Sequence, residues 1–530
     1  MWTEKLIGPP GTGKTSELIR RVEKELSDGV DPARLGYYSF TRAAARVAQK
    51  RAQAAFPDYP KSSFQHFRTL HSEAFRLLGW TRDKVMVGKN LREFSAAYGY
   101  EISEANLESE DVEEHEVREA VLQTLGDYLL FFVGWRRNLM LDFDSAYGLF
   151  WEISVGLPDG WSPGVVRQFE ERYQEYKVDK GFLDFNDMLY KVLEERLFPD
   201  LDVLIFDEAQ DSSPLQYCVL DYWLQRVKRH YIGGDPDQCI YGWMGVDPEM
   251  FPRRHCDVVT RLTQSYRVPE TVLHLATQIV CSTGYLPRPE AGWVKRGIHL
   301  ADVLRAFDEA PGTCFLLVRN RYLLSDLLEA LLQWGIPFEN LRGPAPFRGK
   351  TAEKILTIRR LFRGEIVSAE QLRLALDKVP QRHNFQRGLK AEIKRWAKEQ
   401  PERPVSLSEI RSQCLSSFLE HPIRALGLPP QTNAYFKRVI DRYGEGILLE
   451  KPRLTVGTIH SVKGMEADWV GVFPDMSRKT WESSQKLSAE EKRVWYVAAT
   501  RAREGLWLFP PSSEYYWQWP KNGYRIDLEF

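Results

Sequence analysis

Short apolar runs alternate with longer amphipathic ones in two separate stretches of the chain. In the first, Leu6-Ile7, Leu35–Phe40, Val203–Phe206 and His230–Gly233 read as strands, each followed by a helical pattern. In the second, Cys314–Val318, Leu454–Gly457, Trp469–Phe473 and Gly505–Phe509 read as strands, with helices over Tyr322–Trp334 and Glu490–Arg503. Strands alternating with helices in this way predict parallel sheets covered by helices on both faces. The expected fold class is α/β, built as two such units.

Two helix-rich stretches interrupt the alternation. One carries the acidic segment Glu101–Glu119 and then the aromatic run Tyr128–Trp135; the other opens at Gly343-Pro344-Ala345-Pro346 and carries the basic run Lys390–Lys398. Charge runs of this kind usually mark solvated helix faces. The expected layout is a first unit over 1–80 and 181–267 with a helical insertion at 81–180. A second unit follows over 268–344 and 451–530, with a reduced helical insertion at 345–450.

Composition narrows the picture only a little. A chain of 530 residues exceeds what one core serves, and 43% hydrophobic with 27% charged residues is ordinary globular usage. With 72 basic and 73 acidic residues, any surface for a polyanion must be a local patch. The six cysteines (218, 239, 256, 281, 314, 414) have no metal-ligand spacing, so they are expected to be reduced and mostly buried. Met1–Ile7 runs straight into a glycine-rich turn rather than a signal peptide, and no apolar stretch is long enough for a bilayer. A cytoplasmic protein with no membrane partner is expected.

Chemistry enters at Gly8-Pro9-Pro10-Gly11-Thr12-Gly13-Lys14-Thr15, which fits G-x-x-x-x-G-K-[ST] between an apolar strand and a helix beginning near Ser16. Glycines let backbone N–H groups wrap phosphates, and the helix N-terminus favours their charge. Lys14 is placed for the β- and γ-phosphates and Thr15 for Mg²⁺. Chance produces this pattern in a chain of this length only about 2% of the time. Its partner is Val203-Leu204-Ile205-Phe206-Asp207-Glu208, an apolar strand ending in two carboxylates. Asp207 suits Mg²⁺, and Glu208 suits a general base that polarises the attacking water. The cofactors implied are ATP and Mg²⁺.

Further segments resemble the UvrD/Rep/PcrA group of superfamily one DNA helicases. Gly234-Asp235-Pro236-Asp237-Gln238-Cys239-Ile240-Tyr241-Gly242-Trp243 is similar to G-D-x-x-Q-x-I-Y-x-[WF]. There Gln238 can reach the γ-phosphate or the water, while Tyr241 and Trp243 offer aromatic faces on which bases stack. Ser39-Phe40-Thr41-Arg42-Ala43-Ala44-Ala45 resembles T-F-T-N-K-A-A, and Thr69-Leu70-His71 resembles T-x-H. Phe182–Leu189 resembles the D-F-x-x-L segment, and Gln264-Ser265-Tyr266-Arg267 resembles Q-N-Y-R. Thr458–Glu466 is similar to T-x-H-x-x-K-G-L-E, and Glu490–Ala502 to E-E-x-R-x-x-Y-V-x-x-T-R-A.

The resemblance implies two RecA-like motor domains, each with a mainly helical insertion, that hydrolyse ATP in the cleft between them. It implies that Tyr266 stacks on adenine, Glu466 lies near the ribose, and Arg267 and Arg501 are fingers onto the γ-phosphate. It places Phe40, Thr41, His71, Tyr241, Trp243, Thr458 and His460 on the nucleic-acid strand. The partners it implies are single-stranded DNA and tailed duplex DNA, with 3′→5′ polarity.

The sequence also departs from the pattern. The family usually carries an adenine-reading glutamine upstream of its phosphate loop; only seven residues precede Gly8, and none is glutamine. Met244 stands where many relatives have arginine. Similar phosphate loops occur in the opposite-polarity branch and in ring-forming ATPases, and an RNA helicase is disfavoured by likeness alone. A role as motor or sensor subunit of a nuclease or antiphage assembly stays open, with cleavage supplied by a protein partner.

Overall fold

The computed structural model describes residues 2–40, 42–107, 122–154, 156–282, 284–290, 292–309, 311–341 and 351–521. Thr41, most of the acidic segment and Gly343–Pro346 lie outside the described residues.

The first sheet comprises β1 (Trp2–Ile7), β2 (Leu35–Ser39), β3 (Phe67–Arg68), β4 (Val203–Asp207), β5 (Arg229–Gly234) and β6 (Val258–Arg261). All are parallel, in the order β3-β2-β4-β5-β1-β6. Every residue of β2 and β4 is buried, as helices on both faces require. The period of two sends Ile205 to one face, with Leu6 and Leu18, and sends Leu204 and Phe206 to the other, with Leu220.

A short parallel pair, β7 (Gln264–Pro269) and β8 (Leu286–Arg288), lies outside both large sheets. Then come β9 (Trp293–Arg296), β10 (Cys314–Val318) and β11 (Phe338–Asn340). The second insertion holds a small antiparallel pair, β12 (Val367–Ser368) and β13 (Pro404–Val405). After it follow β14 (Leu454–Thr458), β15 (Ala467–Val472) and β16 (Ala502–Leu508). The second large sheet is parallel throughout, in the order β11-β14-β10-β15-β16-β9.

The sequence pattern did not reveal β6, whose four residues are mostly exposed at the sheet edge and form no apolar run facing a core. Nor is Glu490–Arg503 one helix. The helix spans Ser488–Ala499, and Ala502 already belongs to β16. Thr500 makes the corner, its hydroxyl donating to the Tyr496 carbonyl at 2.8 Å. Likewise the helix Leu324–Trp334 begins after a tighter turn at Arg321–Leu323.

The two insertions are built differently. The first has its own aromatic core, with Phe94, Phe132, Phe150, Phe169 and Tyr173 packed among its helices. Lys177, in its last helix, bonds Asp184 at 2.6 Å and Asp187 at 2.7 Å. The second shares one continuous core with the sheet: Ile355, Leu372 and Phe418 pack in the same cluster as Leu316 and Val456.

The cysteines are unpaired, but fewer are buried than expected: Cys239, Cys314 and Cys414 are, whereas Cys218 and Cys256 are half-buried and Cys281 is exposed. Among the described residues no helix is long and apolar enough to cross a membrane.

Candidate functional site

Strands β4, β5 and β1 are neighbours, so their C-terminal ends bring Asp207-Glu208, Asp235–Gln238 and Gly8–Thr15 to one sheet edge. Gly11 and Gly13 have φ of 77° and 81°, the left-handed region that glycine enters without cost. The following helix starts at Lys14, two residues before the expected Ser16. Lys14 Nζ donates to the Gly8 carbonyl at 2.7 Å, and Thr12 Oγ1 donates to the Pro9 carbonyl at 2.9 Å.

Asp207 is held from three sides. Thr15 Oγ1 donates to its Oδ2 at 2.9 Å, Tyr37 Oη donates to the same oxygen at 2.7 Å, and the Glu208 amide donates to Oδ1 at 2.9 Å. Burial and the neighbouring Glu208 push the Asp207 carboxyl up to about 6 despite the bonds from Tyr37 and Thr15. Glu208 has φ 57°, a strained backbone for a residue with a side chain, of the sort that persists where surrounding structure enforces it. Burial alone would raise its carboxyl, but Lys14, Lys463 and a 2.6 Å bond from Gln210 Nε2 hold it below the usual range.

These residues fit a magnesium-bound nucleotide. Mg²⁺ takes oxygen ligands, usually one or two carboxylates with substrate phosphates and waters, rather than a complete protein cage. Thr15 and Asp207 offer an oxygen pair, and a cation there would relieve the repulsion that raises Asp207. Among the described residues no group of three or more His, Cys, Asp and Glu forms a cage.

The second unit supplies the facing wall. Arg501, just before β16, is buried, and its Nη2 donates to Gln238 Oε1 at 2.9 Å. Gln238 in turn donates from Nε2 to Asp235 Oδ2 at 2.7 Å. Burial, reinforced by Arg267, brings the Arg501 guanidinium down to about 9. Arg267 pairs with the exposed Glu466 at 2.5 Å. Tyr266 is 71% exposed, which leaves its ring free to stack.

Three more side chains of the second unit hold the backbone of the Gln238–Trp243 loop. Lys463 Nζ donates to the Gln238 carbonyl at 2.6 Å, Arg493 Nε donates to the Cys239 carbonyl at 2.7 Å, and Glu490 Oε1 accepts from the Trp243 amide at 3.0 Å. Lys463 also pairs with buried Asp211, whose carboxyl burial pushes up to about 7 in spite of that lysine. Lys463, Glu490 and Arg493 stand inside the quoted motifs, but the spacing of those motifs alone assigns them no partner across the cleft. Tyr37 had no sequence signal at all.

The residues expected on the strand divide into two sets. Phe40, Tyr241 and His460 meet: Phe40 stacks on Tyr241 with centroids 5.2 Å apart, and His460 lies 6.3 Å from the same ring. Tyr241, expected to present an aromatic face, is only 2% exposed, and Lys463 Nζ lies 4.8 Å from its ring centroid. Its ring packs into the core of the second unit with Cys239 and Ile240, which is why no open face remains. Trp243 is half-buried and stacks on Phe131 of the first insertion at 6.0 Å. His71 is buried edge-on against Phe185 at 6.0 Å, and Thr458 is buried with its Oγ1 accepting from the Ser461 amide. The segment from Thr458 to Glu466 joins the C-terminal end of β14 to the start of the parallel strand β15, so it crosses the second unit from one edge to the other.

Two RecA-like parallel α/β units, a phosphate loop on one facing arginines on the other, define the class of two-unit phosphate-loop proteins. The family model for the UvrD/REP helicase N-terminal domain matches residues 4–258, and that for the UvrD-like helicase C-terminal domain matches residues 441–511. The chain belongs to the family of UvrD/Rep-like helicases. It is similar to the ATP-dependent DNA helicase PcrA of Staphylococcus aureus, 23% identical over 323 residues that cover 58% of this chain and 42% of the relative. It is also similar to the ATP-dependent DNA helicase UvrD2 of Mycobacterium tuberculosis, 24% identical over 558 positions that cover 95% of this chain and 76% of the relative. The chain thus spans less than half the length of the PcrA relatives it matches.

Proposed function

We propose that the chain is an ATP-driven motor that moves 3′→5′ on single-stranded DNA and separates tailed duplexes. The observation that carries the reading is the Arg501–Gln238 bond of 2.9 Å across the cleft. It sets a cation of one unit against the residue of the other that lies between the nucleotide edge and the aromatic loop. The likeness to PcrA and UvrD2, both named ATP-dependent DNA helicases, supports DNA as the track; the direction rests on the resemblance of the motifs.

In this mechanism Gly8–Thr15 cradle the phosphates and Lys14 turns from the Gly8 carbonyl to the β- and γ-oxygens. Thr15 and Asp207 would hold magnesium, which would neutralise charge on those oxygens. Glu208 orients the attacking water and accepts its proton, while Gln238 positions the γ-phosphoryl or that water. Arg267 and Arg501 stabilise the charge of the transition state, Tyr266 stacks on the base, and Glu466 meets the ribose. Hydrolysis releases Arg501 from the γ-phosphoryl, and Lys463, Glu490 and Arg493 pass the shift to the Gln238–Trp243 loop. Trp243 and Phe40, with Thr41, grip the strand; Tyr241, Thr458 and His460, all buried, form the joint beneath them.

The test is the ATPase rate with and without single-stranded DNA, followed by strand displacement from 3′- and 5′-tailed duplexes. Stimulation by the strand and displacement from the 3′-tailed duplex alone are expected. A rate indifferent to DNA would overturn the motor reading.

A further inference from the structure

Strand β2 runs beside β4, with Tyr37 opposite Ile205 and Ser39 opposite Asp207. The period of two turns Tyr37 to the face lined by Leu18 and Val22, and turns Tyr38 to the other, with Leu204 and Phe206. Tyr37 is wholly buried, its ring stacked on Phe67 of β3 with centroids 5.5 Å apart. Its hydroxyl, carried toward the sheet edge, donates to Asp207 Oδ2 at 2.7 Å. Next along the strand Tyr38 is equally buried, and among the described residues its hydroxyl finds no hydrogen-bond partner. The two tyrosines thus differ in one respect that bears on the site: only Tyr37 touches the carboxylate.

An ionised carboxylate offers about four acceptor positions, two on each oxygen. On Asp207, Thr15 and Tyr37 fill both positions of Oδ2, and the Glu208 amide fills one of Oδ1. The open position is the other one on Oδ1. Thr15 can turn its oxygen to a cation while its proton still faces Oδ2, so a metal need not disturb that bond. Tyr37 lies inside the sheet, and its bond only closes Oδ2. The carboxylate can therefore meet a cation, or a water on a cation, through Oδ1, but it cannot chelate with both oxygens. That limit separates two cations. Mg²⁺ demands near-octahedral geometry and keeps several waters, whereas Ca²⁺ takes a larger, looser set of oxygens and accepts a carboxylate by one oxygen or by both.

We propose that Tyr37 is a positioning residue that sets the choice of cation: by closing Oδ2 of Asp207 it makes the nucleotide site take Mg²⁺ in preference to Ca²⁺. The proposal rests on the ATPase reading above and adds to it a specificity determinant that lies outside the phosphate loop and the acidic pair.

The experiment measures the affinity of a fluorescent, non-hydrolysable ATP analogue in saturating Mg²⁺, in saturating Ca²⁺ and in EDTA, with thermal melting of each variant. Wild type should bind more tightly in Mg²⁺ than in Ca²⁺; the reverse order would overturn the proposal. Tyr37→Phe, which removes one oxygen and keeps the ring on Phe67, should narrow that preference by about tenfold, the scale of one hydrogen bond to a charged group. Tyr38→Phe removes a buried hydroxyl from the same strand and should leave the preference as it is. In an Asp207→Ala background Tyr37→Phe should change nothing, because Tyr37 acts through that carboxylate. An unchanged preference in Tyr37→Phe overturns the proposal, and so does an equal loss of affinity in both cations, since the hydroxyl would then only support the charge. Equal narrowing by Tyr38→Phe would mark a packing effect and overturns it too. If Tyr37→Phe melts below the assay temperature, Tyr37→Met, which also lacks the hydroxyl and fills space flexibly, is read in the same way. Should wild type bind the analogue equally well in EDTA and in both cations, the metal–nucleotide reading fails first; should the cations matter and Tyr37→Phe keep the preference, only the role of Tyr37 falls.

Discussion

Arg501 Nη2 and Gln238 Oε1 lie 2.9 Å apart, although 263 positions separate them in the chain. Each is buried, and each belongs to a different sheet edge, so the bond exists only while the two units are apposed. Arg501→Lys keeps a cation but cannot keep both the Val497 bond and the planar reach to Gln238. Turnover should fall by about a thousandfold or more, the scale of a lost arginine finger, with nucleotide affinity changed little. Steady-state hydrolysis and nucleotide titration on the same sample check this, and near-normal turnover would remove Arg501 from the reaction.

Glu208→Gln should leave nucleotide binding nearly intact while lowering hydrolysis at least about a hundredfold, as expected when a general base is removed. The amide still fits the strained turn at φ 57° and still faces Gln210, so the loop has no reason to rearrange. Unchanged turnover would show that the base lies elsewhere.

Trp243→Ala should uncouple hydrolysis from movement. Lys14, Thr15, Asp207 and Glu208 are untouched by it, so hydrolysis without DNA should persist. Stimulation by single strands and duplex separation should both drop, in keeping with a stacking surface worth about 1–3 kcal/mol per base. Because Trp243 also stacks on Phe131, Phe131→Ala is the companion variant. If Trp243→Ala instead lowers the melting temperature sharply and leaves strand affinity intact, the tryptophan is core.

His230 makes a prediction about acid stability. It is buried in β5 with neither ring nitrogen hydrogen-bonded, and burial, with Arg254 adding, brings it down to about 3. In the unfolded chain a histidine titrates near 6.5. Below that pH the unfolded state binds a proton that the folded state refuses, so stability is full above pH 6.5 and lost as pH falls toward 3. The slope approaches about 1.4 kcal/mol per pH unit. His230→Leu should therefore flatten the decline of melting temperature between pH 6.5 and 5 relative to wild type. Parallel declines would mean that other groups govern it.

Much of the fold can be read from the sequence because its signals are local. Leu204, Ile205 and Phe206 form an unbroken apolar run, which a strand between two helical layers needs, and the carboxylates of Asp207 and Glu208 mark where it leaves the core. Gly11 and Gly13 flank a turn whose backbone only glycine adopts freely, so the phosphate loop is legible residue by residue. Edge strand β6 was not legible, since exposed residues leave no apolar pattern. Nor was the corner at Thr500, where the helical period runs on through Ala499 and only the demand for another strand in the sheet breaks it.

Sequence by itself determined the two α/β units, the phosphate loop, the acidic pair and the family to which the chain belongs. Tertiary structure alone decided that Tyr241 is a joint rather than an open face, and that Lys463, Glu490 and Arg493 hold the loop from across the cleft. It alone decided that Ser265 lies on the Pro10 carbonyl. Such contacts join residues as far apart as 255 positions. Their partners are set by how the units bury surface against one another, which periodicity along a single segment does not report.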